Sequence, residues 1–293
     1  MACEHASQIK RKPRWLSRRL PSAPEYEQVR TIISQGRLHT VCEEAKCPNR
    51  FECFSQRTAT FLIMGSRCTR DCRFCNVAYG PQTAPDPEEP RRVAEAAMRM
   101  GLQYVVVTSV TRDDLPDGGA GIFAETIAQI RRRLPDTRIE ILIPDFQGDR
   151  DALKTVLDAE PHVLNHNIET VPRLYERVRP QAVYERSLRL LERASSMAPS
   201  ILTKSGIMLG LGESDAEVRE TLADLRRVDC KFLTIGQYLQ PSRRHLAVER
   251  FVRPEEFDAW REAALAMGFI DAASGPFVRS SYHAKDLYQA SGA

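Results

Sequence analysis

The stretch Phe61-Leu62-Ile63-Met64-Gly65-Ser66-Arg67-Cys68-Thr69-Arg70-Asp71-Cys72-Arg73-Phe74-Cys75 joins a short apolar run to three cysteines spaced C-x3-C-x2-C. The run Phe61–Gly65 is rich in large apolar residues and closed by a glycine, so it reads as a buried strand. Cysteines directly after it then stand at the C-terminal end of a strand, where parallel α/β barrels keep their active sites. Similar runs follow at Tyr104–Ser109, Ile139–Ile143, Val163–Asn167, Ile201–Leu209 and Phe232–Gln237. Between them helical spacing appears, as in Phe123, Ile127, Ile130 and Leu134 and again in Val218, Leu222 and Leu225, the one-sided stripe of a surface helix. Six strands alternating with helices predict an α/β fold with a parallel sheet. Periodicity leaves open whether the sheet curls into a partial barrel or stays flat and doubly wound.

Three thiolates on one tight loop can hold three irons of a cubane cluster and leave the fourth iron without a protein ligand. An open position on a metal centre is where a substrate binds. Zinc would favour paired C-x2-C knuckles and four closed ligands, a pattern absent from this loop. A second triplet, Cys42, Cys47 and Cys53, is spaced C-x4-C-x5-C ahead of the first strand, and it too is one ligand short of a closed cluster. A structural zinc with a distant fourth ligand is its alternative reading.

The chain has 293 residues, 42% hydrophobic and 28% charged, with a formal net charge of +3. That is enough for one large core and too little charge to argue for nucleic acid. No apolar run approaches the ~18 residues of a membrane span, and no signal-peptide stretch opens the chain, so a reducing, cytoplasmic location is expected. Six of the eight cysteines lie between positions 42 and 75. In such a compartment clustered cysteines mean metal or redox chemistry rather than disulfides. Cys3 and Cys230 read as bystanders. Lys10, Arg11, Lys12, Arg14, Arg18 and Arg19 form a local basic arm, read as a solvated segment or as a docking surface for an acidic partner.

The first triplet, with Phe74 before its last cysteine, resembles the signature of the radical S-adenosylmethionine enzymes. The second, with the neighbouring Pro48-Asn49, resembles the motif peculiar to the lipoyl synthase family within them. Arg279-Ser280-Ser281-Tyr282 stands where that family places a C-terminal serine ligand, and the resemblance assigns the fourth position of the second cluster to Ser281. The likeness runs from about Arg37 to Tyr288 and includes Asp113–Ala120, Asn165–Thr170 and Lys204–Glu213.

The resemblance implies a partial (β/α)6 barrel of the TIM type at residues 61–270. An extension at 1–60 and a tail at 271–293 carry the auxiliary cluster. It further implies two 4Fe-4S clusters and S-adenosyl-L-methionine. The reaction is radical insertion of two sulfur atoms at C6 and C8 of a protein-bound octanoyl-lysine, with the auxiliary cluster as sulfur donor. The implied partners are octanoylated lipoyl carrier domains (E2 subunits of 2-oxoacid dehydrogenases and the glycine cleavage H protein). An electron donor such as ferredoxin or flavodoxin and a cluster-assembly carrier complete the set, with no nucleic acid and no membrane.

For the nucleoside cofactor, Thr108 and Ser109 are expected near the methionine amino group, with Asp117-Gly118-Gly119 allowing close backbone approach. Asn165 and Glu169 suit the ribose hydroxyls because both accept hydrogen bonds from them. Arg179 and Lys204 suit the methionine carboxylate by charge. Gln237, Gln240 and the run Pro241-Ser242-Arg243-Arg244-His245 are expected at the substrate mouth, with the two arginines facing an acidic carrier. A biotin synthase-like enzyme is the nearest alternative within the radical enzymes, and a zinc-stabilised binding module is the alternative of another class.

Overall fold

The computed structural model describes residues 11–17, 24–290 and 292; Cys3, Lys10, Arg18 and Arg19 lie outside the described residues. Between residues 24 and 60 the N-terminal extension carries helices that no periodic run announces. Helix α1 (Pro24–Gln35) buries Val29 and Ile33, too few positions to stand out as a periodic run. It is followed by β1 (His39–Thr40), α2 (Val41–Glu44) and α3 (Arg50–Ser55). Tyr26 of α1 stacks on Phe51 of α3 with ring centroids 5.1 Å apart, which fixes the second cysteine triplet against a helix.

The barrel begins at β2 (Thr60–Ile63), and the first triplet lies on the two-stranded ribbon β3 (Arg67–Cys68) and β4 (Ala78–Tyr79) and the loop between them. Then come α4 (Glu89–Met100), β5 (Tyr104–Ser109), α5 (Ala120–Arg133), β6 (Arg138–Leu142), α6 (Arg150–Asp158), β7 (Val163–Asn165), α7 (Tyr175–Val178) and α8 (Tyr184–Met197). The chain continues through β8 (Leu202–Leu209), α9 (Asp215–Arg227), β9 (Phe232–Gln237), α10 (Pro254–Ala266), β10 (Asp271–Gly275) and α11 (Ala284–Gln289). Helix boundaries follow local chemistry. Gly101 closes α4 in the left-handed conformation, and Ser214 with Glu217 forms a capping box at the start of α9, satisfying otherwise orphaned backbone groups.

The main sheet has the order β1-β2-β5-β6-β7-β8-β9-β10, with β1 antiparallel to β2 and every other pair parallel. All six expected strands are present, and the sheet is an open, partial barrel. A seventh parallel strand, β10, comes from the start of the segment assigned to the tail, where no strand was expected. Asp271-Ala272-Ala273-Ser274-Gly275 lacks the β-branched and aromatic residues that mark strands, and it becomes one by pairing with β9. The tail also ends in a helix: Ala284, Leu287 and Tyr288 of α11 are buried, and Ala284 and Tyr288 pack with Tyr104, Val106 and Val163 across the N-terminal ends of the strands.

At that lower end lies a buried polar cluster. Lys204 Nζ donates to Glu140 at 2.9 and 3.2 Å, the Tyr104 hydroxyl donates at 2.7 Å, and Asn165 Nδ2 at 3.2 Å. Removing one partner of a buried ion pair leaves an uncompensated charge. We predict that Lys204→Met lowers stability by about 3–5 kcal/mol, read by denaturant unfolding of the metal-free chain, and that Glu140→Gln added to it restores most of the loss. Among the described residues no helix is long and apolar enough to cross a membrane.

Candidate functional site

A cavity of about 470 Å³ opens at the C-terminal ends of the strands and inside the barrel. Both cysteine triplets line it, together with Phe74, Thr108, Ser109, Asn167, Glu169, Arg179 and Arg279–Tyr282. Extension, barrel and tail, which carry the three sets of motifs in the sequence, therefore meet in one place.

The loop of Cys68, Cys72 and Cys75 is held from several sides. Met64 and Gly65 turn the chain with φ of 68° and 94°, and the Met64 N–H donates to buried Glu89 at 2.7 Å. The Thr111 and Arg70 backbone N–H groups point at Cys68 Sγ from 3.3 and 3.4 Å. Arg70, inside the motif and buried, binds Asp113 through two bonds of 2.6 and 2.8 Å and Asp145 through one of 2.6 Å. Burial works against the Asp145 charge, but the hydrogen bond and charge of Arg70 outweigh it and hold the carboxyl below its ordinary range. Arg186 adds a second cation at 3.2 Å. His245 Nε2 lies 2.9 Å from the Cys75 carbonyl oxygen, and the Leu246 N–H donates to the Arg73 carbonyl at 3.1 Å. The 241–246 segment thus braces this loop. Nothing in the sequence marks Arg70 as a pin, although it stands inside the C-x3-C-x2-C motif and Asp113 opens Asp113–Ala120.

Burial pushes the Cys72 thiol up to about 11 and the Cys75 thiol up to about 12, so a metal must displace their protons on binding. Among the described residues no three His, Cys, Asp or Glu side chains gather around one metal ion. In a cubane, by contrast, each thiolate takes a different iron.

The second triplet reaches the same cavity from the other wall. Asn49 Nδ2 donates to the Phe277 carbonyl at 2.7 Å and the Tyr282 hydroxyl to Glu52 at 2.8 Å, clamping the tail onto the extension. Gly236 lets the tail pass: a Cβ there would lie 2.2 Å from the Val278 carbonyl oxygen. The tail then sets Ser280 Oγ 2.5 Å from Asn167 Nδ2 and Ser281 Oγ 2.7 Å from Thr60 Oγ1. The two serines therefore face different partners, Ser280 the end of β7 and Ser281 the start of β2.

A solved structure of methylornithine synthase shares the fold at a TM-score of 0.54 and 15% identity, covering 84% of this chain and 74% of that one. The profile of the radical SAM superfamily matches residues 62–225. The lipoyl synthase of Desulfotalea psychrophila is 56% identical over 99% of this chain and 98% of its own. That of Caldanaerobacter subterraneus subsp. tengcongensis is 56% identical over 94% of this chain and 96% of its own. This chain belongs to the lipoyl synthase family.

As a lipoyl synthase it is a radical S-adenosylmethionine sulfurtransferase of lipoate biosynthesis, with two 4Fe-4S clusters and S-adenosyl-L-methionine as cofactors. Its cavity fits these groups. Two sets of three thiols converge on it, and Ser109 Oγ, Asn167 Oδ1 and Arg179 Nε are buried there without a hydrogen-bond partner. Buried polar atoms are seldom left so unless a ligand completes them.

The structure corrects several expected contacts in this lipoyl synthase. Lys204 does not reach the cavity: it is 1% exposed and spends its charge on Glu140. Asn165 likewise points at Glu140, one layer below the floor. The residues one strand repeat further, Gly206 and Asn167, line the cavity instead. Thr108 lines it, but its hydroxyl is bonded to the Leu142 carbonyl at 2.9 Å. Gly118 and Gly119 pack against Phe146 and Met64, where a Cβ would stand 2.8 and 2.2 Å from side-chain atoms, so they serve packing rather than a ligand. Gln237 lines the cavity while its amide ties Leu209, Tyr238 and Arg250 carbonyls and the Val252 N–H. Gln240 donates to the His245 carbonyl, the chemistry of a turn. Arg243 and Arg244 are exposed. Glu169, held in the left-handed region at φ 67°, takes a hydrogen bond from Asn167 Nδ2 at 3.0 Å. Strain of that kind concentrates at ligand sites.

Proposed function

We propose that this chain inserts two sulfur atoms at C6 and C8 of an octanoyl chain held in amide linkage on a lysine of a lipoyl carrier domain. The observation that carries the reading is that both cysteine triplets and Ser281 line one cavity. Cys68, Cys72 and Cys75 hold the cluster that binds S-adenosylmethionine, and Cys42, Cys47 and Cys53 with Ser281 hold the auxiliary one. When bound, the first pair supplies a 5′-deoxyadenosyl radical able to break an unactivated C–H bond, and the auxiliary cluster supplies sulfur.

The protein's own contribution is placement and exclusion. The Arg179 guanidinium, half-buried with its Nη1 on the Asn167 carbonyl at 2.9 Å, faces the cavity with Nε unspent and suits a carboxylate. Ser109 Oγ suits the methionine amino group. Asn167 Oδ1 and Glu169 accept from ribose hydroxyls, the role first expected of Asn165. Leu62, Val77, Leu142 and Met208 supply apolar wall for an acyl chain and keep water from a reactive carbon.

Residues 1–60 and 271–293 act as the two arms of the auxiliary site around a barrel of 61–270. The lipoyl carrier domains of 2-oxoacid dehydrogenases and of the glycine cleavage system are the substrates. A ferredoxin or flavodoxin supplies electrons, a cluster-assembly carrier rebuilds the spent cluster, and the setting is the cytoplasm.

An assay with an octanoylated carrier peptide, reductant and S-adenosylmethionine tests the reading. The expected product carries two added sulfurs, and the protein holds about eight iron per chain. Zinc in place of iron, or cleavage of S-adenosylmethionine with no sulfur transferred, would sink it.

A further inference from the structure

Thr60 stands where two arms of the auxiliary site meet, and no motif in the sequence marks it. It is the first residue of β2 and is 5% exposed. Its hydroxyl lies 2.7 Å from Ser281 Oγ, and its backbone N–H bonds the thiol of Cys42. One residue thus contacts a side chain from the extension and another from the tail, 239 positions apart in sequence numbering from Cys42 to Ser281. The same side chain lines the cavity beside Cys53.

A serine that binds iron gives up its proton, and an alkoxide oxygen has none to donate. The Thr60–Ser281 bond then has one polarity only: Thr60 donates and Ser281 accepts. Such a donor stabilises the charge on the oxygen and fixes its direction, as groups behind metal ligands do elsewhere. It also withdraws charge from the iron, and hydrogen bonds of this kind tune cluster potentials. We infer that Thr60 is a positioning residue of the auxiliary site, whose hydroxyl holds Ser281 in place as the fourth ligand and thereby sets how firmly that iron is kept. The inference rests on the assignment of Ser281 as a ligand.

The test uses the full chain with both clusters reconstituted anaerobically, in five forms: parent, Thr60→Val, Thr60→Ser, Ser281→Ala and the double variant of Thr60→Val with Ser281→Ala. Iron release from the auxiliary cluster to a chelator and its reduction potential by electron paramagnetic resonance are read, with no turnover involved. Thr60→Val keeps the shape and loses the donor, so iron release should quicken about tenfold or more and the potential should fall. Thr60→Ser should restore both, and Thr60→Val added to Ser281→Ala should change nothing further, because the two act on one bond.

Parent-like release in Thr60→Val beside accelerated release in Ser281→Ala would overturn the inference and leave the ligand assignment standing. Parent-like release in Ser281→Ala would remove the assignment itself, and full additivity of the two substitutions would also overturn the inference. Melting of the metal-free variants separates a folding defect from loss of the bond. Thr60→Ala, smaller and equally without a donor, gives the same reading should the valine not be accommodated.

Discussion

Cys68→Ala is expected to abolish reductive cleavage of S-adenosylmethionine, down to the level of a blank without protein. Cys68 leaves β3 with its sulfur under the Thr111 and Arg70 N–H groups, in a loop that Arg70 pins to Asp113 and Asp145. Alanine loses the two N–H contacts to sulfur but keeps the Arg70 side-chain pins to Asp113 and Asp145, and it leaves two thiols for a cluster that needs three. Iron should fall from about eight to about four per chain, and 5′-deoxyadenosine should vanish from the products. Normal cleavage with full iron would refute the assignment of this triplet to the radical site. The same variant should keep its auxiliary cluster, because Cys42, Cys47 and Cys53 sit on α2, α3 and their junction and take no support from Cys68.

The second large effect separates the two centres in the opposite sense. Ser281→Ala should lower lipoyl product about a hundredfold or more, a loss above the 10–100-fold typical of groups merely behind a ligand. Cleavage of S-adenosylmethionine should remain measurable, since the first triplet is untouched. Ser280→Ala makes the contrast useful: its hydroxyl faces Asn167 at the end of β7, not the Cys42 side. The measurement is product and 5′-deoxyadenosine from the same reaction, expressed as their ratio. A parent-like ratio in Ser281→Ala would show that the fourth ligand lies elsewhere, and Ser280 would then be the first alternative.

Much of the fold is legible in the sequence. The six strands Phe61–Gly65 to Phe232–Gln237 each appear within a few residues of their expected place. Both triplets are local patterns, and ligands spaced two to five residues apart on a loop are neighbours in any fold. Helix α1 escaped notice because only Val29 and Ile33 are buried on it. β10 escaped because small residues carry no strand signal. Gly118 and Gly119 looked like a ligand cradle because a glycine pair has the same sequence whether a ligand or a side chain occupies the space it frees.

What the sequence alone offers is the chemistry: two sets of three thiols on two short segments, and a tail with the adjacent Ser280 and Ser281, of which the family resemblance picks Ser281. What only the tertiary structure decided is depth. Alternation along a strand tells which residues face inward, and Asn165, Asn167, Lys204 and Gly206 all do. It cannot tell how far each stands from the mouth, because that is set by the stagger of neighbouring strands and by what fills the base. Two residues along β7 or β8 is one repeat of roughly 6.6 Å. That distance makes Lys204 the buried partner of Glu140 instead of a residue of the cavity, and puts Asn167 rather than Asn165 in the cavity wall. The meeting of Thr60 with Ser281 is of the same kind, since a contact between residues so far apart along the chain exists only once the barrel has closed around the tail.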